Sequence, residues 1–178
     1  QPQGPYHIVG YSFGATVAFE MAVQLQGAGA SVGSLVLLDG APRYMRHHCS
    51  RFTDANEEEA FFICAFLMHV PGLGSQVKRQ MVQYPTWEAK QEAATDLLLA
   101  GIPDVRPSRE DVALATGAFY HSLKAGSVYA PTANFRGDVT LVKPSRLRKM
   151  AMQLPPDYGL SDVRGVRRRV PPDFGVCA

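Results

Sequence analysis

The sequence has little cysteine, little net charge and no long apolar run. Its 3 cysteines are odd in number and lack Cys-x-x-Cys spacing, so we expect neither a disulfide framework nor a metal site. Reduced thiols favour a cytoplasmic protein. No apolar run reaches the roughly 18 residues of a transmembrane helix, so no membrane span is expected. The net charge is +2 and no aromatic residues interleave with the arginines, so nucleic acid is not an expected partner.

The chain begins Gln-Pro-Gln, with neither a methionine nor a basic and apolar leader. We therefore expect no signal peptide and an N-terminus internal to a longer protein. The length of 178 residues suffices for one domain with a real core. An apolar content of 46% with 19% charged residues is typical of a globular chain.

Two apolar runs of strand length flank a helix near the N-terminus. Residues 6–9 predict a buried strand, and residues 34–38 predict a second strand that ends at Asp39. Apolar residues between them repeat at the spacing of one helix face, namely Ala18, Met21, Ala22 and Leu25. This order of strand, helix and strand predicts a parallel βαβ unit.

The rest of the chain divides into a helical part and a short β-prone part. Residues from about 55 to 125 predict helices only, and residues 138–143 predict a third strand. Beyond it, paired prolines and the run Arg167-Arg168-Arg169 allow little regular structure. We therefore predict that residues 1–163 form an α/β fold that contains the helical insertion, and that residues 164–178 form an atypical, disordered tail.

The stretch Gly10-Tyr11-Ser12-Phe13-Gly14 matches the G-x-S-x-G pattern between a strand and a helix. In a nucleophile elbow the serine occupies the sharp corner and its hydroxyl projects above the sheet. The backbone N–H of Phe13 would then face the substrate oxyanion, assisted by the positive end of the helix. The alternative is a plain βα turn with a surface serine.

Asp39 ends the strand next to that of Ser12, so both are predicted at the carboxyl edge of the sheet, where ligands and catalytic groups lie. A carboxylate in this place orients a histidine and stabilises its imidazolium. The alternative is a turn aspartate before Gly40.

The histidine that such a triad needs is not evident. In α/β-hydrolases the order is Ser, Asp or Glu, then His, and no histidine follows the third strand. The sequence has five histidines, and His7 precedes Ser12. His47 and His48 are expected in an exposed loop, and His69 and His121 in the helical insertion. Without a base, a serine hydroxyl is a weak nucleophile.

Three stretches carry a family resemblance: "GPYHIVGYSFGATVAFEMAVQLQ" (4–26), "SLVLLDGAPRYM" (34–45) and "FYHSLKAGSVYAPTANFRGDVTLVK" (119–143). They resemble the elbow, the acid-bearing strand, and the last lid helix with its following strand in the thioesterase domain that closes animal fatty acid synthase. "DYGLSDV" (157–163) is a fainter match. The resemblance covers roughly residues 4 to 163.

This resemblance implies a partial α/β-hydrolase fold whose helical lid covers about residues 55–125. It further implies that Ser12 is the nucleophile, Asp39 the triad acid and Phe13 a donor of the oxyanion hole. Tyr44 and Phe119 match aromatic positions of the family's acyl-binding groove.

The implied reaction is hydrolysis of a long-chain acyl thioester to a free fatty acid, the chain-terminating step of fatty acid synthesis. The substrate would be carried on the phosphopantetheine of an acyl carrier protein, located in cis in a homodimeric parent. No cofactor or metal would bind directly.

The C-terminus departs from the family. The family's histidine stands in a Gly-Asp-His setting after a further strand, whereas residues 164–178 run "RGVRRRVPPDFGVCA". We therefore expect a fragment with an aberrant end, such as a frameshift produces, and no activity from this chain alone. Two alternatives stay open: a catalytically dead module that binds acyl chains or a carrier protein, and a stand-alone thioesterase of polyketide or peptide synthesis.

Overall fold

A computed structural model describes residues 2–68, 70, 73, 76–102 and 107–143, together with the backbone of residues 166–169. The elements in chain order are β1 (Tyr6–Tyr11), α1 (Phe13–Gly27), β2 (Val32–Leu38), α2 (Tyr44–Cys49), α3 (Ala55–Leu67), α4 (Gln76–Met81), α5 (Trp87–Gly101), α6 (Arg109–Val128), β3 (Gly137–Val142) and β4 (Val166–Arg169). The chain divides into two units, a sheet unit (Gln1–His48 with Ala125–Ala178) and a helical unit (Cys49–Lys124).

The sheet unit holds a parallel sheet in the order β1-β2-β3-β4. Tyr11 lies opposite Leu38, and Leu38 lies opposite Val142, so the first three strands end at one edge. This arrangement confirms the predicted α/β class with parallel strands, and it brings together whatever follows β1 and β2.

Strand β4 is a correction to the sequence prediction, which allowed little regular structure here. Val166–Arg169 pairs in parallel with β3, with Arg168 opposite Val139. Charged residues are common in edge strands, where they discourage further pairing, so an arginine-rich run fits the end of a sheet better than its middle. The predicted boundary between residues 1–163 and 164–178 lies outside the described residues and stays a prediction.

Helix α1 packs on one face of this sheet. The ring of Phe19 meets that of Phe135 edge to face, with ring centres 6.0 Å apart. Alternate residues of two strands point to the same face and are almost fully buried: Leu35, Leu37, Val139 and Leu141. Burial of each such side chain contributes about 1.5–3 kcal/mol. The start of α1, directly after Ser12, is therefore held firmly against the sheet.

The helical unit forms the insertion between β2 and β3 that the sequence predicts. Ser108 caps α6 by accepting a hydrogen bond from the Asp111 N–H at 3.0 Å. The six-residue helix α2 was not predicted, because it is too short to show a periodic pattern, whereas the equally short α4 lies within the part predicted to be helical. Among the described residues, no helix is both long and apolar enough to cross a bilayer.

A buried ion pair joins α3 and α5 in the helical unit. Lys90 is fully buried and its Nζ lies 2.9 Å from Glu59 Oε2. Removing one partner leaves the other charge unpaired in a partly dry site, so we expect Lys90→Met to lower the free energy of unfolding by about 3 kcal/mol. Urea denaturation measures this change.

Two comparisons test the cause of that destabilisation. The double variant Lys90→Met/Glu59→Leu should recover much of the loss, because both charges are then replaced by apolar groups. Arg109→Ala removes an ion pair with Asp96 that is largely exposed, and should cost much less. A double variant as unstable as the single one would show that pairing is not the reason.

Candidate active site

Ser12 occupies a strained corner between β1 and α1. Its backbone has φ 53° and ψ −123°, a conformation that non-glycine residues adopt at a cost of order 1–3 kcal/mol. The Ser12 N–H donates to the Leu38 carbonyl at 2.8 Å, and its own carbonyl accepts from the Ala15 N–H at 3.0 Å. Within the described residues the hydroxyl makes no capping bond to α1, although serine at this position usually does.

Two glycines give this corner its space. A Cβ on Gly10 would lie 2.2 Å from the Gly14 carbonyl oxygen and 2.6 Å from Ala18 Cβ. A Cβ on Gly40 would lie 2.3 Å from the Ser12 carbonyl oxygen. A Cβ on Gly14, by contrast, would meet no described atom within 4 Å other than the adjoining backbone of its own helix. The sequence pattern therefore identified Gly10 correctly as a glycine that the corner needs, but it missed Gly40. The sequence feature that could have indicated Gly40 is its position directly after Asp39, at the end of β2.

Asp39 follows β2 at the same edge of the sheet as Ser12. Its N–H donates to the Val142 carbonyl at 2.8 Å, which ties it to the end of β3. Its φ is 47°, and Ser12 and Asp39 are the non-glycine residues with positive φ in the described part of the chain. Strained backbone of this kind clusters at functional sites. The structure thus brings these two predicted residues to neighbouring strand ends.

Tyr44 lies at the start of α2, within electrostatic reach of Asp39. Burial, the charge of Asp39 and the hydroxyl of Tyr11 raise the pKa of Tyr44 to about 12. Its ring meets the His48 ring edge to face at 4.8 Å. The Tyr44 hydroxyl therefore stays protonated at physiological pH and can donate a hydrogen bond in the neighbourhood of Asp39.

Phe13 opens α1, where the first N–H groups of a helix have no partner within the helix. Its ring borders an open, mostly apolar groove of about 300 Å³ that continues along α1 past Val17 and Met21. The predicted oxyanion donor thus lies at the helix N-terminus, and its side chain faces an apolar surface.

Phe119 belongs to the helical unit. Its half-buried ring contacts that of Phe66 at 5.6 Å between ring centres. Other aromatic rings of the helical unit form a separate series of contacts, namely Phe52, Phe61, Phe62, Tyr120 and Trp87. Contact between Phe119 and a substrate stays a prediction.

The histidines differ from expectation at one place. His47 and His48 lie in α2 rather than in a loop, and His48 is only 3% exposed. The prediction of exposed loop histidines is therefore wrong, because Tyr44–Cys49 closes a short helix that turns His48 inward. His7 lies at the opposite end of β1 from Ser12 and shares a hydrogen bond with Ser34 Oγ at 2.9 Å. His121 is exposed, and His69 lies outside the described residues.

The described cysteines are poor alternative nucleophiles. Burial raises the pKa of the Cys49 thiol to about 12, with the Glu58 carboxylate adding to the effect. Burial also raises the pKa of Cys64. Both thiols are therefore protonated near neutral pH, whereas only the thiolate attacks a carbonyl efficiently.

Among curated proteins, the chain is similar to parts of synthases. A dimodular nonribosomal peptide synthase of Bacillus subtilis is 50% identical over 44 residues, which are 25% of this chain and 2% of that protein. Microperfuranone synthase of Emericella nidulans is 28% identical over 144 residues, or 81% of this chain and 14% of that protein. The chain thus spans only a small part of these relatives. The narrower assignment to animal fatty acid synthase is not supported by them.

Solved structures share the fold. A four-domain nonribosomal peptide synthetase bound to AMP and glycine superposes with a TM-score of 0.64 at 21% identity, covering 97% of this chain and 13% of that one. The NocB thioesterase domain, in covalent complex with a fluorophosphonate nocardicin G analogue, superposes with a TM-score of 0.50 at 24% identity, covering 96% of this chain and 56% of that one. The family profile described as "Thioesterase domain" matches residues 1–106. Since this match spans more than half of the sequence, the chain belongs to the thioesterase domain family.

Proposed function

We propose that this chain supplies the nucleophile and the acid of a thioesterase that releases an acyl group from a peptide or polyketide synthase. The observation that carries the proposal is the strained Ser12 at the end of β1, beside Asp39 at the end of β2. Strain is retained in a fold where the surrounding contacts fix it. Here the strained residue carries a hydroxyl that could attack a carbonyl and that makes no capping bond to α1.

The proposed reaction follows from these positions. Ser12 Oγ attacks the thioester carbonyl carbon while a base takes the hydroxyl proton, and the resulting oxyanion accepts a hydrogen bond from the Phe13 N–H. The thiol then leaves with that proton, and water hydrolyses the acyl-serine ester in a second, similar step. Asp39 orients the base and stabilises its cation. The base itself is a histidine that this sequence does not place after β3.

The substrate class follows from the relatives. Because relatives are named as a nonribosomal peptide synthase and as the polyketide synthase PksR, both of Bacillus subtilis, we propose a peptidyl or polyketide acyl group carried as a phosphopantetheine thioester on a carrier protein in cis. A long-chain fatty acyl group is the second candidate, favoured by the stretches that resemble the fatty acid synthase domain. Tyr44 and Phe119 are the proposed acyl contacts, and a homodimeric cytoplasmic parent stays part of the proposal.

A panel of pantetheine thioesters separates these substrates. The purified chain is assayed with long-chain acyl, polyketide-like and dipeptidyl thioesters in the presence of imidazole, which supplies the missing base, and thiol release is recorded. We expect the polyketide-like or dipeptidyl thioester to give the largest rate above that of the Ser12→Ala variant. The Ser12→Ala protein corrects for hydrolysis by imidazole in solution.

The outcomes distinguish the two candidate substrate classes from each other and from a module without activity. A largest Ser12-dependent rate with the long-chain thioester would support the fatty acyl candidate instead. Equal rates for the wild-type chain and Ser12→Ala with every thioester would reject the enzymatic proposal and leave a module that only binds.

A further inference from the structure

One face of α1 links the candidate site to the segment that leads into β3. Phe13, Val17, Glu20 and Gln24 are spaced three or four residues apart and so share one face of the helix. This face lines the groove that begins at Phe13, together with Tyr129 from the segment 129–136, here called the return segment. The return segment runs from the end of α6 to the start of β3, and all of these residues belong to the sheet unit.

Glu20 binds the return segment with both carboxylate oxygens. Tyr129 Oη donates to Glu20 Oε2 at 2.5 Å, and Thr132 Oγ1 donates to Oε1 at 2.6 Å. The Thr132 N–H adds a longer bond to Oε2 at 3.4 Å, and Gln24 Nε2 donates to Oε1 at 2.9 Å from the same helix. Partial burial alone raises the pKa of Glu20, but these bonds outweigh it and the pKa is lowered. The carboxylate is therefore charged at neutral pH, and its hydrogen bonds are of the stronger kind.

A second tether lies further along α1. The Gln26 side chain accepts from the Arg136 N–H at 2.9 Å and donates to the Arg136 carbonyl at 2.6 Å. The return segment is thus fixed to α1 at Tyr129, Thr132 and Arg136, which leaves little freedom for the residues just before it.

Gly126, in the last turn of α6, is the point at which this tethering reaches the candidate site. It is buried, and a Cβ there would lie 3.3 Å from Phe13 Cδ2 and 3.2 Å from Met45 Cγ. A side chain larger than that of glycine would therefore crowd the Phe13 ring, and both residues line the same groove. Movement of Tyr129 away from Glu20 would be passed on to Gly126, three residues earlier in the chain, and so to the space beside the Phe13 ring.

We propose that Glu20 is a positioning residue for the thioester reaction, acting through Tyr129 and Gly126 to hold Phe13 and hence its oxyanion-binding N–H in place. The catalytic part of this inference rests on the proposed function. The clamp between Glu20 and the return segment itself is a property of the fold, and can be measured without any reaction.

The test compares Glu20→Gln, Tyr129→Phe and the double variant in the full 178-residue chain. Tyr129→Phe removes only a hydroxyl, so it tests the clamp even where Glu20→Gln folds poorly. Amide hydrogen exchange at residues 126–132 reports the clamp. The rate at which an alkyl fluorophosphonate modifies Ser12 in the presence of imidazole reports positioning of the oxyanion donor.

We expect each single variant to raise exchange at residues 126–132 and to lower the maximal rate of Ser12 modification about tenfold, the effect of losing one charged hydrogen bond. Binding of the probe before reaction should change less than about twofold, since both substitutions nearly preserve the size of the side chain that lines the groove. The double variant should be no slower than Glu20→Gln, because both changes break the same link. A role limited to stability would not produce this separation of rate from binding.

Two results would overturn the inference, and they are distinguishable. If wild-type Ser12 is modified and the variants react at the same rate, Glu20 does not position the site, whatever the exchange shows. If wild-type Ser12 is not modified at all, the proposed function fails and the positioning role fails with it.

Discussion

Gly10→Ala is expected to unfold or severely destabilise the sheet unit, by about 3 kcal/mol or more. The new methyl group would overlap the Gly14 carbonyl oxygen at 2.2 Å and the Ala18 methyl at 2.6 Å. Neither atom can move freely, because both belong to a helix that is packed on the sheet. The elbow would have to open, and Ser12 would lose its strained conformation.

Gly14→Ala is the matched control for that change. Its methyl group would meet no described atom within 4 Å other than the adjoining backbone of its own helix, and alanine in a helix is favoured over glycine by about 0.5–1 kcal/mol. Urea denaturation of both variants should therefore show a large loss for Gly10→Ala and none for Gly14→Ala. Similar stability of the two proteins would contradict the geometry described for the elbow.

The second large effect is the near absence of thioester turnover by the chain as it stands. Removing the histidine of a serine protease triad costs on the order of 10⁶ in kcat, and no histidine follows β3 in this sequence. Without added base, we expect hydrolysis indistinguishable from that of Ser12→Ala. Added imidazole should raise the wild-type rate only, and Asp39→Asn should weaken that gain because the carboxylate orients the base.

One result would change this interpretation of the base. Turnover without imidazole that is lost in Ser12→Ala would mean that one of the remaining histidines acts as the base. His48 is then the first to replace, since it contacts Tyr44, whose pKa is raised by burial and by the Asp39 charge. Loss of that turnover in His48→Gln with an unchanged melting temperature would identify it.

The elbow could be predicted from sequence because its determinants are local. The apolar strand, the G-x-S-x-G pattern and the helical periodicity lie within residues 6–27, and each limits the backbone on its own. The place of Asp39 could be predicted equally well, since the ends of sequential parallel strands lie side by side. What the motif did not reveal is which glycine matters, because Gly10 and Gly14 look alike until Ala15 and Ala18 are placed beside Gly10.

Other features depend on contacts between distant parts of the chain. The Glu20 carboxylate meets Tyr129 and Thr132 more than a hundred residues away, and nothing in α1 alone marks it as bound rather than exposed. His48 looks like a loop residue because the helix that buries it has only six residues. The strand Val166–Arg169 is a run of charges that becomes a strand only as the partner of β3.

Mass spectrometry of the chain after exposure to a fluorophosphonate, with and without imidazole, tests the central claim most directly. We expect a single adduct on Ser12 that forms with imidazole, is almost absent without it, and is lost in Ser12→Ala. An adduct on another residue, or no adduct on Ser12 under either condition, would contradict the assignment of Ser12 as the nucleophile of this thioesterase domain.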